Sequence, residues 1–197
     1  LPWRTLSGPD DKPALEYELE KVVRGFYRPD LFLDYVRHFV LFEEDGDEVV
    51  KKIAGYHQFH GVRSAVEATL KAQKHDGKAG VFWHTQGSGK SISMAMYSGK
   101  LLQQPAMRNP TLVVVTDRND LDGQLFRQFS AAKELLRQTP EQAESREELR
   151  ELLQGRAAGG VIFTTVQKFA PLEEEDAHPV LCDRSNVVVI SDEAHRS

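Results

Sequence analysis

An α/β fold built on a predominantly parallel sheet is predicted by three observations: short, nearly continuous apolar runs, helical stripes alternating with them, and polar groups closing each run. The runs are Gly80 to Trp83, Leu112 to Val115, Val161 to Phe163 and Val187 to Ile190. Apolar residues at successive positions, many of them β-branched, mark strands covered on both faces. Between the runs, Ile92, Ala95, Met96, Gly99 and Leu102 share a helical stripe, as do Leu121, Leu125 and Phe129, and then Leu149, Leu152 and Leu153. Such alternation implies parallel strands joined by right-handed crossovers.

A small helical extension, residues 1 to 55, precedes this pattern, and residues 56 to 197 form the main domain. Pro13 suits a first helical turn, and Leu15, Leu19, Val22 and Val23 recur at helical spacing until Gly25. Asp30 is placed to cap a second helix with Leu33, Val36, Arg37 and Val40 near one face. Glu43 to Asp47, broken by Gly46, reads as a polar hairpin or loop. Val62, Ala65, Val66, Thr69 and Leu70 then mark the first helix of the main domain. Two segments read as surface. Thr139 to Arg150 is polar, with Ser145 and Glu148 spaced as a capping box for a helix ending near Gly155, and Glu173 to Asp176 reads as a solvated acidic loop.

Composition narrows the function classes. The 197 residues are 40% hydrophobic and 28% charged, the balance of a globular protein rather than a disordered one. No apolar run is long enough to span a bilayer, so no membrane is expected. A net charge of -5 has the wrong sign for gripping nucleic acid by bulk attraction, so any such contact must be local. The single cysteine, Cys182, excludes an internal disulfide framework and fits a reducing cytoplasm. Because the sequence opens Leu1-Pro2-Trp3, without methionine or leader, a longer parent polypeptide is expected.

The chemistry concentrates in two motifs. Thr85-Gln86-Gly87-Ser88-Gly89-Lys90-Ser91 follows an apolar run and opens a helical stripe. Glycines there let backbone N–H groups turn inward around an oxyanion, and the helix adds its positive end. Lys90 would reach the β and γ phosphates, and the Ser91 hydroxyl would ligate magnesium. A glycine-rich strand-to-helix turn is the alternative reading. His84 stands where the long form of the motif wants glycine, which fits the shorter glycine-x-glycine-lysine form.

The second motif puts Asp192 and Glu193 at the end of the Val187 to Ile190 run. One carboxylate there can hold Mg²⁺ while its neighbour polarises the water attacking a γ-phosphate; adjacent acids can also simply start a helix. Joint placement favours the site, because ligands of open parallel sheets gather at the carboxyl ends of strands. The four runs deliver the phosphate loop, Thr116 to Asn119, Thr164 and Thr165, and Asp192 and Glu193 to one expected edge.

Together these segments resemble a known family. Tyr56-His57-Gln58-Phe59-His60, His84 to Ser91, Val115 to Asp122, Phe163 to Phe169 and Asp192-Glu193-Ala194-His195-Arg196-Ser197 are similar in order and spacing to the motor subunit (HsdR) of type I restriction-modification enzymes, a superfamily-two helicase-like ATPase. The resemblance is strong from Tyr56 onward and looser over residues 1 to 55, which look like that family's connection between nuclease and motor. It implies a RecA-like P-loop NTPase domain that uses ATP and Mg²⁺ to move double-stranded DNA beside modification and specificity subunits, in a bacterial or archaeal cytoplasm. It further implies that Gln58 reads the adenine edge and that Thr85, Gln86, Gly87, Ser88, Gly89, Lys90 and Ser91 hold the nucleotide. Ser91 and Asp192 would hold the metal, Glu193 would organise hydrolysis, and His195 would couple the site to a partner lobe. DNA contacts are implied at Thr116, Arg118, Asn119, Thr164 and Thr165, by hydroxyls, backbone N–H groups and a guanidinium meeting phosphate oxygens. Nuclease residues and a second motor lobe are expected outside this sequence, leaving the isolated segment nearly inactive.

Competing readings are a DEAH-type RNA helicase or other DNA remodelling ATPase, a small-molecule kinase, and a non-catalytic nucleotide-binding module. Arg118 reads equally as a helix-start surface charge. Trp83 reads as core rather than a base-stacking platform, and His57, His60, His75 and His178 lack the grouping of a zinc site.

Overall fold

The computed structural model describes residues 18–45, 48–83, 85, 87–116, 123–172, 175 and 177–192. The chain divides into two compact units, Leu1–Lys100 and Leu101–Ser197.

Among the described residues of the first unit, α1 (Glu18–Lys21) comes first and continues as a π-helical turn over Val22–Phe26. Gly25, expected to end the helix, is buried inside that turn. The turn reaches Phe26 because its ring is anchored edge-on against Tyr35, centroids 4.8 Å apart. α2 (Pro29–His38) starts with Pro29 at its first position, where the missing N–H has no partner to lose. Asp30 therefore lies inside the first turn instead of capping it, and its two oxygens accept from Arg28 at 2.7 and 2.8 Å.

The buried stripe of α2 is Leu31, Tyr35 and His38, not the expected Leu33, Val36 and Arg37; Leu33 is 67% exposed. Tyr35 selects the face. Its hydroxyl donates to the Ala54 carbonyl, and its ring lies against Phe39 and Phe59. Of the hairpin or loop expected, a hairpin forms: β1 (Val40–Asp45), which takes Val40 from the expected helix, pairs antiparallel with β2 (Glu48–Ile53), Val40 opposite Ile53 and Asp45 opposite Glu48. The turn residues 46 and 47 lie outside the described residues.

α3 (Tyr56–Ala72) buries Phe59, Val62, Val66 and Thr69, and α4 (Lys90–Leu102) follows the phosphate loop. Asp34 on α2 is the ionic centre of this unit. It accepts from Lys100 of α4, and it lies 3.4 Å from Arg63 of α3 and 3.9 Å from His38. The same two long cations cover aromatic rings, Lys100 over Phe39 and Arg63 over Phe59, so apolar stems and charged heads both find partners.

Gly80 to Trp83 is not the strand expected of it. Gly80 has φ +116°, which turns the chain out of the extended region, and no ladder pairs the backbone here among the described residues. Trp83, read as core, is 79% exposed. Phe82 instead lays its ring against α3 at Gly61, where a β-carbon would come within 2.8 Å of it.

The second unit carries the parallel sheet. Its elements in order are β3 (Thr111–Thr116), α5 (Gln124–Ala131), α6 (Lys133–Leu136), β4 (Glu141–Gln142), α7 (Arg146–Gln154), β5 (Val161–Thr165) and β6 (Val187–Ser191). The strand order is β4-β5-β3-β6, and every pairing is parallel. One face packs Val113, Val115 and Ile162 against Leu149 and Leu153 of α7. Alternation sends Phe163 to the opposite face, where Phe126 and Phe129 of α5 meet its ring edge-on at 5.3 and 5.0 Å. Helices on both faces explain why these strands read as continuous apolar runs.

The capping box of α7 forms with one change of partner. Ser145 Oγ accepts the Glu148 N–H at 3.1 Å, while Glu148 Oε2 reaches back to the Glu144 N–H at 2.7 Å. β4, inside a segment read as surface, escaped notice because its two residues are polar. Glu175, read as part of a solvated loop, is tied to Arg150 through both oxygens at 2.6 Å. Among the described residues no helix is long and apolar enough to cross a membrane.

Candidate nucleotide-binding site

The phosphate loop connects residue 85 to α4, a thirteen-residue helix that begins at Lys90 with Ser91 next in its first turn. A turn shapes its start: the Ser88 N–H and the Ser88 hydroxyl both donate to the Thr85 carbonyl, at 3.2 and 2.6 Å. Gly87 and Gly89 have φ of +77° and +80°, where a side chain would be strained. At Gly89 space is also short, because a β-carbon would stand 2.7 Å from Gln58 Nε2. Gln86 and His84 lie outside the described residues.

Gln58 enters from the first turn of α3. Its Oε1 accepts the N–H of Gly55, the residue before the helix, at 2.9 Å. Its Nε2 faces the Gly89 carbonyl at 3.2 Å, the Ser88 carbonyl at 3.4 Å and Ser93 Oγ at 3.2 Å. The exposed His57 brings Nε2 within 3.3 Å of the same Ser88 carbonyl. Both ends of the amide assigned to adenine are thus engaged by the chain itself.

Ser93 was not singled out from the sequence. It is 1% exposed, and its hydroxyl donates to the Gly89 carbonyl one turn earlier at 3.1 Å. A serine four residues after the second loop glycine, on the first turns of the helix, was the available signal, since such hydroxyls back-bond to i−4 carbonyls.

The loop suits a phosphate group. Two left-handed glycines bend the backbone, and the first turn of a long helix offers N–H groups and the positive end of its dipole. If a nucleotide binds here, Lys90 would supply the cation and Ser91 the hydroxyl for a phosphate-bound magnesium.

The second unit gathers the remaining predicted residues that the structure describes. β3 and β5 pair Thr116 with Thr165 in register, β3 and β6 pair Val115 with Ser191, and the Asp192 N–H donates to the Val115 carbonyl at 2.9 Å. Thr116, Thr165 and Asp192 therefore share the carboxyl edge of one parallel sheet. The phosphate loop, expected at the end of a fourth strand, follows no strand among the described residues. Thr116 Oγ1 donates to the Thr164 carbonyl at 3.4 Å. Thr164 is 2% exposed, and its Oγ1 has no hydrogen-bond partner among the described residues. Arg118, Asn119, Glu193 and His195 lie outside them.

A family model described as SWI2/SNF2 ATPase matches residues 57–197, which takes in the loop and the sheet edge alike. The chain belongs to the SWI2/SNF2 ATPase family. The chain is 55% identical over 201 residues to the type I restriction enzyme HindI endonuclease subunit of Haemophilus influenzae, covering all of this sequence and 19% of that protein. It is 38% identical over 184 residues to a putative type I restriction enzyme MjaIXP endonuclease subunit of Methanocaldococcus jannaschii, covering 91% of this sequence and 17% of the relative. A type I restriction enzyme endonuclease subunit of Staphylococcus aureus strain MSSA476 is 29% identical over 181 residues, with 91% and 18% covered. The chain thus spans about a fifth of the length of the relatives it matches. Membership in this ATPase family agrees with the α/β fold and with the resemblance found in the motifs.

Proposed function

We propose that this chain is the ATP-binding lobe of a DNA-translocating motor within a type I restriction endonuclease. The observation that carries this reading is the loop from Gly87 to Ser91, its two glycines in left-handed conformation at the start of α4. Thr85 to Ser91 surround the phosphates, Lys90 meets the β and γ groups, and Gln58 lies toward the adenine. Ser91 and Asp192 hold magnesium, which when bound neutralises charge developing on the phosphoryl oxygens. Glu193 takes a proton from the attacking water, and His195 relays the state of the site to a partner lobe.

Double-stranded DNA lies along the carboxyl edge of the sheet. Thr116 and Thr165, the backbone at Thr164, and Arg118 and Asn119 beyond β3 meet phosphate oxygens there without reading sequence. Modification and specificity subunits supply recognition. Residues 1 to 55 connect this lobe to a nuclease, and residues 56 to 197 form the lobe itself.

The test is ATP hydrolysis by the full-length protein with its partner subunits. Duplex DNA should stimulate it, Lys90→Ala should remove nucleotide binding, and Glu193→Gln should stop turnover while ATP still binds. Stimulation by RNA in place of duplex DNA would reject the restriction-motor reading.

A further inference from the structure

Gln58 and Ser93 hold the phosphate loop from behind. Three donors converge on the Gly89 carbonyl: the Ser93 N–H at 3.0 Å, the Ser93 hydroxyl at 3.1 Å and Gln58 Nε2 at 3.2 Å. Gln58 Nε2 also meets Ser93 Oγ at 3.2 Å and the Ser88 carbonyl at 3.4 Å. Both residues are buried, at 7% and 1% exposure, so water competes little for these bonds. Gln58 is itself fixed at the other end by the Gly55 N–H.

Peptide units are planar, and the described chain contains no cis bond. In a trans peptide the N–H points opposite to the C=O it is joined to. Drawing the Ser88 and Gly89 carbonyls toward Gln58 therefore directs the N–H groups of Gly89 and Lys90 away from α3. Those are the groups that a phosphate at the start of α4 would meet.

We propose that Ser93 and Gln58 form a buried polar latch that sets the peptide orientation of the phosphate loop, with Ser93 as a positioning residue that touches no ligand. The inference rests on the nucleotide-binding reading above and adds to Gln58 a role separate from adenine. A residue reading only the base has no need of bonds to two loop carbonyls. Ser93 does double service, because its hydroxyl donates its proton to Gly89 and accepts one from Gln58. The latch also gives glycine at residue 89 a use beyond its φ: a β-carbon there would displace the Gln58 amide.

The two roles separate by the ligand used. Inorganic tripolyphosphate with magnesium probes the loop alone, and adenosine probes the base pocket alone. Each would be titrated as a competitor of a fluorescent ATP analogue bound to the full-length protein. Ser93→Ala removes both bonds of the hydroxyl, to the Gly89 carbonyl and from Gln58, and should weaken tripolyphosphate and ATP alike, about tenfold or more, while leaving adenosine unchanged. Gln58→Glu keeps the contact to the Gly55 N–H yet places an oxygen against the two loop carbonyls, so it should weaken tripolyphosphate at least as much.

Tripolyphosphate binding within twofold of wild type in both variants overturns the latch. Loss confined to adenosine in Gln58→Glu overturns it too and leaves Gln58 as a base reader. If neither variant folds by circular dichroism, the pair is structural and the positioning role is wrong. A wild-type protein that binds neither ATP nor tripolyphosphate would instead reject the underlying nucleotide reading, and the latch with it.

Discussion

Gln58 Nε2 stands 2.7 Å from the point where a β-carbon on Gly89 would sit. Two residues far apart in sequence thus share one small space, and a side chain at position 89 meets two obstacles. Its φ of +80° strains a side chain by roughly 1–2 kcal/mol, and a β-carbon would push the Gln58 amide off its bonds to the loop. Gly89→Ala should therefore weaken ATP binding by about tenfold or more. Since alanine would already have displaced the amide, adding Gln58→Ala should cost little further. A double-mutant cycle by titration calorimetry checks this, and strictly additive losses would show that Gly89 does not serve Gln58.

Asp34 offers a stability test in the first unit. It gathers Lys100, Arg63 and His38, and its partner Lys100 has a side chain only 12% exposed. Removing one member of a largely buried pair strands the other charge, so Asp34→Ala should destabilise the unit by about 1–3 kcal/mol. Adding Lys100→Met should recover part of the loss, because an apolar chain of similar length can stay over Phe39. Hydrogen exchange at the α2 and α4 amides reads both effects locally. A second substitution that worsened protection would contradict this account.

The sheet was legible in the sequence because β3 and β5 are covered on both faces, so Leu112 to Val115 and Val161 to Phe163 carry unbroken apolar runs. The phosphate loop was legible for a different reason: left-handed backbone at Gly87 and Gly89 demands glycine and leaves a string. Gly80 to Trp83 shows the limit of apolar content. A strand exists only where another backbone pairs it, and the φ of Gly80 turns this one aside. The face of α2 was misread because Tyr35 is buried by a hydrogen bond to Ala54 as much as by its ring, and hydrophobic periodicity does not register that bond. Ser93 stayed hidden because its role depends on Gln58, which is remote in sequence and near only after folding.

Acid should release the segment around Glu175. The Arg150 guanidinium first, and the Leu172 N–H second, lower its carboxyl from the ordinary 4.5 to about 2. The folded form therefore holds its proton less tightly than the unfolded chain. Its contribution to stability is full above 4.5 and is lost as pH falls toward about 2. Arg150→Met should remove most of this pH dependence and leave the smaller part due to the Leu172 N–H. Nuclear magnetic resonance of the Glu175 carboxyl carbon measures it, and a midpoint near 4.5 in the wild type would refute the pairing.

Thr164 carries the last prediction. Its hydroxyl is buried at the end of β5 with no hydrogen-bond partner among the described residues, an arrangement that ordinarily costs stability. Valine keeps the shape and removes the hydroxyl, so Thr164→Val should stabilise the strand by about 1 kcal/mol, seen as slower exchange of the β5 amides. The strand end is ordered without that hydroxyl: Thr116 donates to the Thr164 carbonyl, and Thr165 lies beside Thr116 in register. On the proposed DNA path Thr164 meets DNA through its backbone, so the same substitution should leave the stimulation of ATP hydrolysis by duplex DNA unchanged. Lost stimulation in a folded, more stable variant would contradict the backbone contact and give the buried hydroxyl the role in its place.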